Sequence, residues 1–328
     1  MAVGEIITAA RINNLQSSIA LILGTGSGQS GYGQTVTSLP VNNTSQTIDA
    51  ASINAIYADI ITARVHQVGL DDPYLSQVVN SLTGEILDDV KLIPNKNTVA
   101  EDTSFFVEEQ EGVVVTSPDF YGTLKGINDY ETLMTQVIAD KGLLHPTQAS
   151  LESAISSTRT SSWNGLIYHE VAVTFINENH RRSFFNTGSQ IKFTANLSGT
   201  TGTKGSDWVV LLDNIGTISF SANNTTSSSG GTVAIGNYQL ANSYQIVYTK
   251  TATTYSSNSY TIRARSDASN RILFRIEFND LATAADPSGT STVDENVSGR
   301  ITSTLQQLRA DGDVSVASPT YFNTSTLA

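Results

Sequence analysis

The apolar residues of this chain change their spacing near Gly165, and that change constrains the fold more than any other feature. Before it they recur every three or four residues, the period of a helix with one buried face. After it they alternate, the period of a strand with one buried face. Ile12, Leu15, Ile19 and Ile22 form the first helical stripe, roughly five turns long, with Gly24 placed where a C-cap glycine would stop it. The run from Gly24 through Gly26, Gly28 and Gly31 to Gly33 then holds too many glycines for a regular element, and reads as a flexible interface loop that carries Tyr32. Ile53, Ile56, Tyr57, Ile60, Ile61 and Val65 make a second stripe, with Thr47 or Asp49 as its N-cap. Two such helices form an α-hairpin too thin to stand as a core. A third stripe of Ile127, Tyr130, Leu133, Met134, Val137 and Ile138 closes at Gly142. Pro146 disfavours helix at His145, and Thr147 is placed to cap a helix over 148–157. Between the second and third stripes, residues 69–118 give mixed signals, read as a connecting region with a short helix around 78–92 and a strand or two.

In the second half Ile167, His169, Val171, Val173 and Phe175 alternate with Tyr168, Glu170, Ala172 and Thr174. Ile191, Phe193, Ala195 and Leu197 repeat the pattern. Trp208, Leu211, Leu212 and Ile215 return to helical spacing, so one helix over 204–216 is inserted among strands. Strands follow at 217–222, 244–250, 259–265 and 271–278, with hairpin-turn composition at 266–270 and a polar loop at 223–231. Residues 297–308 read as a strand or short helix, and 314–328 as an extended tail. The fold class is α+β. A helical N-terminal half (helix, glycine loop, helix, then further helices) precedes a β-rich, sandwich-like C-terminal domain with one inserted helix. The divisions fall at 1–68 for a helical docking module, 69–160 for the connecting region and 161–328 for the β-rich domain.

Composition narrows function. The 328 residues include no cysteine and 4 histidines, and 15% of them are charged, which leaves few groups for proton transfer or covalent catalysis. The expectation is a protein that is not an enzyme, with no cofactor and no catalytic, cofactor-binding or metal-ligating residue. A net charge of -12 argues against nucleic acid as a partner, because phosphate binding needs clustered Lys and Arg. Apolar runs such as 19–23 are too short to cross a bilayer, and the opening Met1-Ala2-Val3-Gly4-Glu5 lacks the order of a signal peptide, so neither membrane nor Sec-type export is implied. Gly26, Gly28 and Gly31 match the GxGxxG pattern, but a dinucleotide site needs a strand before it and a helix after it. His66, His145, His169 and His180 lack the spacing of a helical metal pair. His180-Arg181-Arg182, a compact basic cluster in an acidic chain, is expected to form salt bridges. No nucleophile elbow is present. The acidic pairs Asp71-Asp72, Asp88-Asp89 and Glu108-Glu109, like Asp311-Gly312-Asp313, read as solvated loops.

Several separated phrases carry a resemblance. Gly4-Glu5-Ile6-Ile7-Thr8-Ala9-Ala10-Arg11-Ile12-Asn13-Asn14-Leu15-Gln16 is followed by Leu23-Gly24-Thr25-Gly26-Ser27-Gly28, then Gly31-Tyr32-Gly33-Gln34 and Ala63-Arg64-Val65-His66-Gln67. Farther on come Ser183-Phe184-Phe185-Asn186-Thr187-Gly188, Asp207-Trp208 with Leu211-Leu212, and Ile215-Gly216-Thr217-Ile218-Ser219-Phe220. In this order they resemble virion structural proteins of marine T4-like phages, of the cyanophage type, over most of the chain except about 69–142. The resemblance implies a place in the virion, in tail, fibre, baseplate or neck, after synthesis in the host cytoplasm. It implies copies of the chain itself and other virion proteins as partners, and it transfers no catalytic motif. An attachment module built on the two N-terminal stripes would then use Ile12, Leu15, Ile19, Ile22, Tyr32, Ile53, Ile56, Tyr57 and Ile60 as its assembly interface. A neck or head decoration protein is the competing role within the particle. A receptor- or glycan-binding adhesin is the alternative from another class, with Tyr238, Tyr244, Tyr255 and Tyr260 stacking on a host surface glycan, and a depolymerase ranks third.

Overall fold

The computed structural model describes residues 8–41, 50–69, 109–110, 113–114, 127–283 and 293–327. The N-cap residues Thr47 and Asp49, the helix around 78–92, and the pairs Asp71-Asp72 and Asp88-Asp89 lie outside the described residues. The chain divides into two compact units, 1–149 with 310–316 and 150–309 with 317–328.

The first unit is helical. Helix α1 (Ala9–Ile22) starts at Thr8, whose hydroxyl accepts from the Arg11 N–H. It packs with α2 (Ala50–Val68) and α3 (Ile127–Ala139), and a single cluster of buried side chains joins all three. Leu133, Val137 and Ile60 are fully enclosed in it. Arg11 pairs with Glu131 at 2.7 Å across α1 and α3, and Arg64 pairs with Asp140. On α2 the Asp59 carboxylate accepts from the N–H and hydroxyl of Thr37 and from the N–H of Ser38, fixing the strand-like return from α1. A short ladder of β1 (Glu109–Gln110) and β2 (Val113–Val114) also falls in this unit.

The glycine run expected as a flexible interface loop is packed against α1. The N–H groups of Tyr32, Gly33 and Gln34 donate to the carbonyls of Ile22, Gly24 and Leu23 at 2.7, 2.8 and 2.9 Å. Tyr32 is buried, its hydroxyl accepting from Gln67 at 2.8 Å, and burial pushes its phenol up to about 12. Gly24 has a role other than the expected C-cap. Leu23 still has helical dihedrals, and Gly26 is the first described glycine at positive φ. A Cβ on Gly24 would lie 2.6 Å from the Ala20 carbonyl oxygen, so its place is fixed by close backbone approach.

The helix expected over 148–157 is a strand. Pro146–Gln148 form one 3-10 turn capped by His145, and β3 (Ala149–Arg159) then runs along the edge of a sheet. The start signal at Pro146 was real for a single turn. Beyond it, Ile155 and Thr158 favour an extended backbone that another strand can pair.

The second unit is a sandwich of two antiparallel sheets. Its strands are β4 (Gly165–Thr174), β5 (Gln190–Ser198), β6 (Ile218–Phe220), β7 (Thr225–Ser227), β8 (Thr232–Val233), β9 (Gln245–Thr251), β10 (Ser259–Ala268), β11 (Arg271–Asp280), β12 (Arg300–Ala310) and β13 (Thr320–Ser325). One sheet has the order β13-β4-β11-β10-β9, the other β3-β12-β5-β6-β7-β8. Phe274 on β11 meets Phe193 of β5 and Phe220 of β6, each at 5.1 Å, in the edge-to-face geometry that aromatic rings favour. The inserted helix is α5 (Gly202–Ile215), whose Trp208 lies between Phe278 and Trp163 at 6.2 and 6.0 Å. A further helix, α4 (Glu178–Asn186), capped by Asn177, was not anticipated. It buries Phe184 and Phe185 against Phe175.

Candidate interaction face

Strand alternation sends Ile167, His169, Val171 and Val173 of β4 inward, and Tyr168, Glu170 and Ala172 to the opposite face. Antiparallel register sets Glu170 opposite Arg275 on β11, Ala172 opposite Leu273, and Arg265 of β10 opposite Leu273. Phe322 of β13 lies opposite Ala172 and is 69% exposed. The outer face of the five-stranded sheet therefore carries a row of aromatic, arginine and carboxylate groups.

These groups stack in order. The Arg275 guanidinium sits 4.7 Å from the ring centre of Tyr168 and 4.9 Å from that of Tyr244, and the Arg265 guanidinium lies 5.3 Å from that of Tyr244. Glu170 holds the stack in place. It accepts from Arg275 Nε at 2.8 Å, from the Tyr244 hydroxyl at 2.8 Å and from the Thr324 hydroxyl at 3.0 Å. Burial alone would raise the Glu170 pKa, but these bonds and the Arg275 charge hold it below the ordinary carboxylate value. Burial, with Glu170 behind it, raises the Tyr244 phenol. Around the stack, Arg263 pairs with Glu277, and Asp267 pairs with both Arg265 and Arg271. The side chains of all four arginines are partly exposed, and each is paired with a carboxylate.

The nine residues expected at an assembly interface sit elsewhere. Ile12, Leu15, Ile19, Ile22, Tyr32, Ile53, Ile56, Tyr57 and Ile60 are all buried in the helical unit's own cluster, where α3 supplies the partner. Of the four tyrosines proposed for sugar stacking, Tyr260 and Tyr255 are buried, and Tyr238 is half-buried with its hydroxyl donating to Asn186 at 2.6 Å. Tyr244 belongs to the face. Tyr168, Arg265, Arg275 and Glu170 were missed. Alternation shows that Tyr168 and Glu170 share a side, but only strand pairing brings Arg275 and Tyr244 to them.

The remaining polar candidates hold the fold. Buried His169 bonds Ser303 at 3.0 Å and Asn323 at 2.8 Å, and burial keeps its imidazole below the usual histidine pKa. His180 accepts from the Ile176 N–H and donates to the Ala317 carbonyl. His66 packs edge-on against Tyr32, and His145 caps its 3-10 turn. Arg181, expected in a salt bridge, bonds the neutral acceptors Asn237, Ser266 and Ala268 at 2.7, 2.8 and 3.1 Å. Burial pushes its guanidinium down to about 10. Among the described residues no three His, Asp or Glu side chains gather as a metal site, and no helix is long and apolar enough to cross a membrane. No family model, curated protein or solved structure matches the chain.

Proposed function

We propose that the chain is a non-enzymatic structural component of a phage virion, associated with tail, fibre or baseplate, that assembles with copies of itself and with other virion proteins. Its place in a particle rests on the sequence phrases from Gly4 to Gln67 and from Ser183 to Phe220. The observation that carries the binding role is the stack of Tyr168, Arg275, Tyr244 and Arg265 beside exposed Phe322. Tyr, Arg and Phe are the residue types concentrated at protein interfaces, and Glu170 has already fixed their geometry, which lowers the ordering cost of binding. In this reading the helical unit attaches through outward side chains such as Leu39 and Leu143, 74% and 48% exposed, because its stripes are occupied within the chain.

The test is quantitative mass spectrometry of gradient-purified particles. The chain is expected to sediment with particles, and recovery only in the soluble fraction would overturn the reading. A full-length Leu39→Asp, Leu143→Asp variant, which leaves the core untouched, is expected to lose most of its incorporation. Immunogold labelling would separate a tail position from the competing neck or head decoration role.

The same stack favours the adhesin as a second reading, since tyrosine faces with adjacent hydrogen-bonding groups can also receive a sugar. There, full-length protein would bind a glycan array and Tyr244→Ala would abolish the signal. A blank array with intact particle incorporation decides for the structural role.

A further inference from the structure

A chain without cysteine cannot staple itself with disulfides, yet its sandwich unit encloses a lysine among carboxylates. Lys204 lies in the first turn of α5 and is fully buried. Its Nζ stands 3.2 Å from Asp280 Oδ2, 2.7 Å from Asp294 Oδ1 and 2.7 Å from the Ala282 carbonyl oxygen. Asp280, the last residue of β11, has a side chain that is 0% exposed, whereas that of Asp294 is 33% exposed. Asn164 donates to the other oxygen of Asp294 at 2.5 Å. Asn258, also enclosed, accepts from the N–H groups of Leu281 and Ala282 at 2.8 Å each and so fixes the strand end behind Asp280. Trp208 follows Lys204 by one helical turn, Phe278 precedes Asp280 on the same face of β11, and the two rings lie 6.2 Å apart.

As an ion pair this arrangement contributes little, because the desolvation of both charges offsets their attraction. As a reaction geometry it is apt: a buried amine stands 3.2 Å from an oxygen of one buried carboxyl group, and a second carboxylate is in contact with the same amine.

We propose that Lys204 and Asp280 condense into an intramolecular isopeptide bond, with Asp294 carrying the proton. Asp294 takes a proton from the Lys204 ammonium, and the freed amine attacks Cγ of the protonated Asp280. In the tetrahedral adduct a proton passes from nitrogen to the Asp280 hydroxyl, the Cγ–OH bond breaks as the other oxygen re-forms its carbonyl, and the hydroxyl leaves as water. The products are a Nζ–Cγ amide and one water, and Asp294 returns its proton to solvent through its exposed side. No oxidant, cofactor or metal enters the balance. Burial favours the neutral acid at Asp280, raising its pKa despite the lysine beside it. At Lys204 burial pulls the pKa down, but the two carboxylates outweigh it, which is why a base in contact with the amine is required. The bond would join the start of α5 to the end of β11, positions 76 residues apart, and close the loop between them as a disulfide would.

Intact-mass spectrometry of the full-length protein, folded natively and then fully denatured, tests this directly. The expected mass is that of the sequence less one water, and proteolysis should yield a branched peptide joining Lys204 to Asp280. Lys204→Arg and Asp294→Asn are expected at full sequence mass. A wild-type protein at full sequence mass, or a water loss mapped to any other pair, would overturn the proposal. Complete water loss in Asp294→Asn would remove Asp294 from its role. The wild-type peptide map decides the central point even if a variant fails to fold.

Discussion

Replacing Trp208 with alanine is expected to destabilise the sandwich unit by about 3–5 kcal/mol, the range for deleting a large buried aromatic side chain. Trp208 is fully buried, and it fills the space between Phe278 of β11 and Trp163, whose backbone is bridged to Val297. It heads the apolar side of α5, which continues through Leu211, Leu212 and Ile215. Alanine would leave a cavity between a helix and a sheet held by hydrogen-bonded strands, where collapse is limited and the cost falls toward the upper end. Trp208→Phe keeps most of the volume and is expected to cost less than half as much. The chain has two tryptophans, so in Trp208→Ala the fluorescence of Trp163 alone reports unfolding of this unit. Urea denaturation followed at that signal gives the midpoint and slope. A loss under about 1 kcal/mol with an unchanged slope would show that α5 does not pack as described.

The same region shows how far the sequence could be read. Trp208, Leu211, Leu212 and Ile215 repeat at helical spacing, and the glycine at 216 takes φ 63, so α5 was legible at both ends. The alternation in β4 and β5 was equally plain, because the large apolar side chains of each fall on one buried face. Helix α4 escaped because Phe184 and Phe185 are adjacent rather than periodic, and its polar majority hides the buried side. Its Asn177 cap was the available signal. β3 was misread because a proline and a capping residue mark the start of a helical turn without fixing its length. The three helical stripes were seen as apolar, but period says nothing about which surface covers them. That required α3, which follows α2 after a long interval in sequence, to dock on both α1 and α2. The outer-face stack is less legible still, since Tyr168, Tyr244, Arg265 and Arg275 come from separate segments and meet only through register.

The glycine run after α1 gives the second large effect. Gly31→Ala is expected to destabilise the helical unit by at least about 2–3 kcal/mol, combining a positive-φ penalty with a backbone collision. Gly31 sits at φ 107, and a Cβ there would lie 2.3 Å from the Thr25 carbonyl oxygen and 2.8 Å from the Gly26 Cα. Neither neighbour is the end of a flexible side chain, so relief requires moving the loop. The loop holds Tyr32, whose N–H is bonded to Ile22 at 2.7 Å and whose ring fills the core beside His66, so the strain spreads to α1 and α2. Gly28 supplies the control within the same loop. It too has positive φ, at 55, but a Cβ there meets nothing within 4 Å, so Gly28→Ala is expected to cost only about 1–2 kcal/mol. Thermal melts of the two full-length variants, followed by far-ultraviolet circular dichroism in the helical band, measure the difference. Equal shifts would mean that the conformational penalty alone matters and that the loop is free to yield at Thr25. A larger shift for Gly31→Ala would show that Gly26 and Gly31 serve close backbone packing within the loop, while Gly28 serves only its backbone conformation.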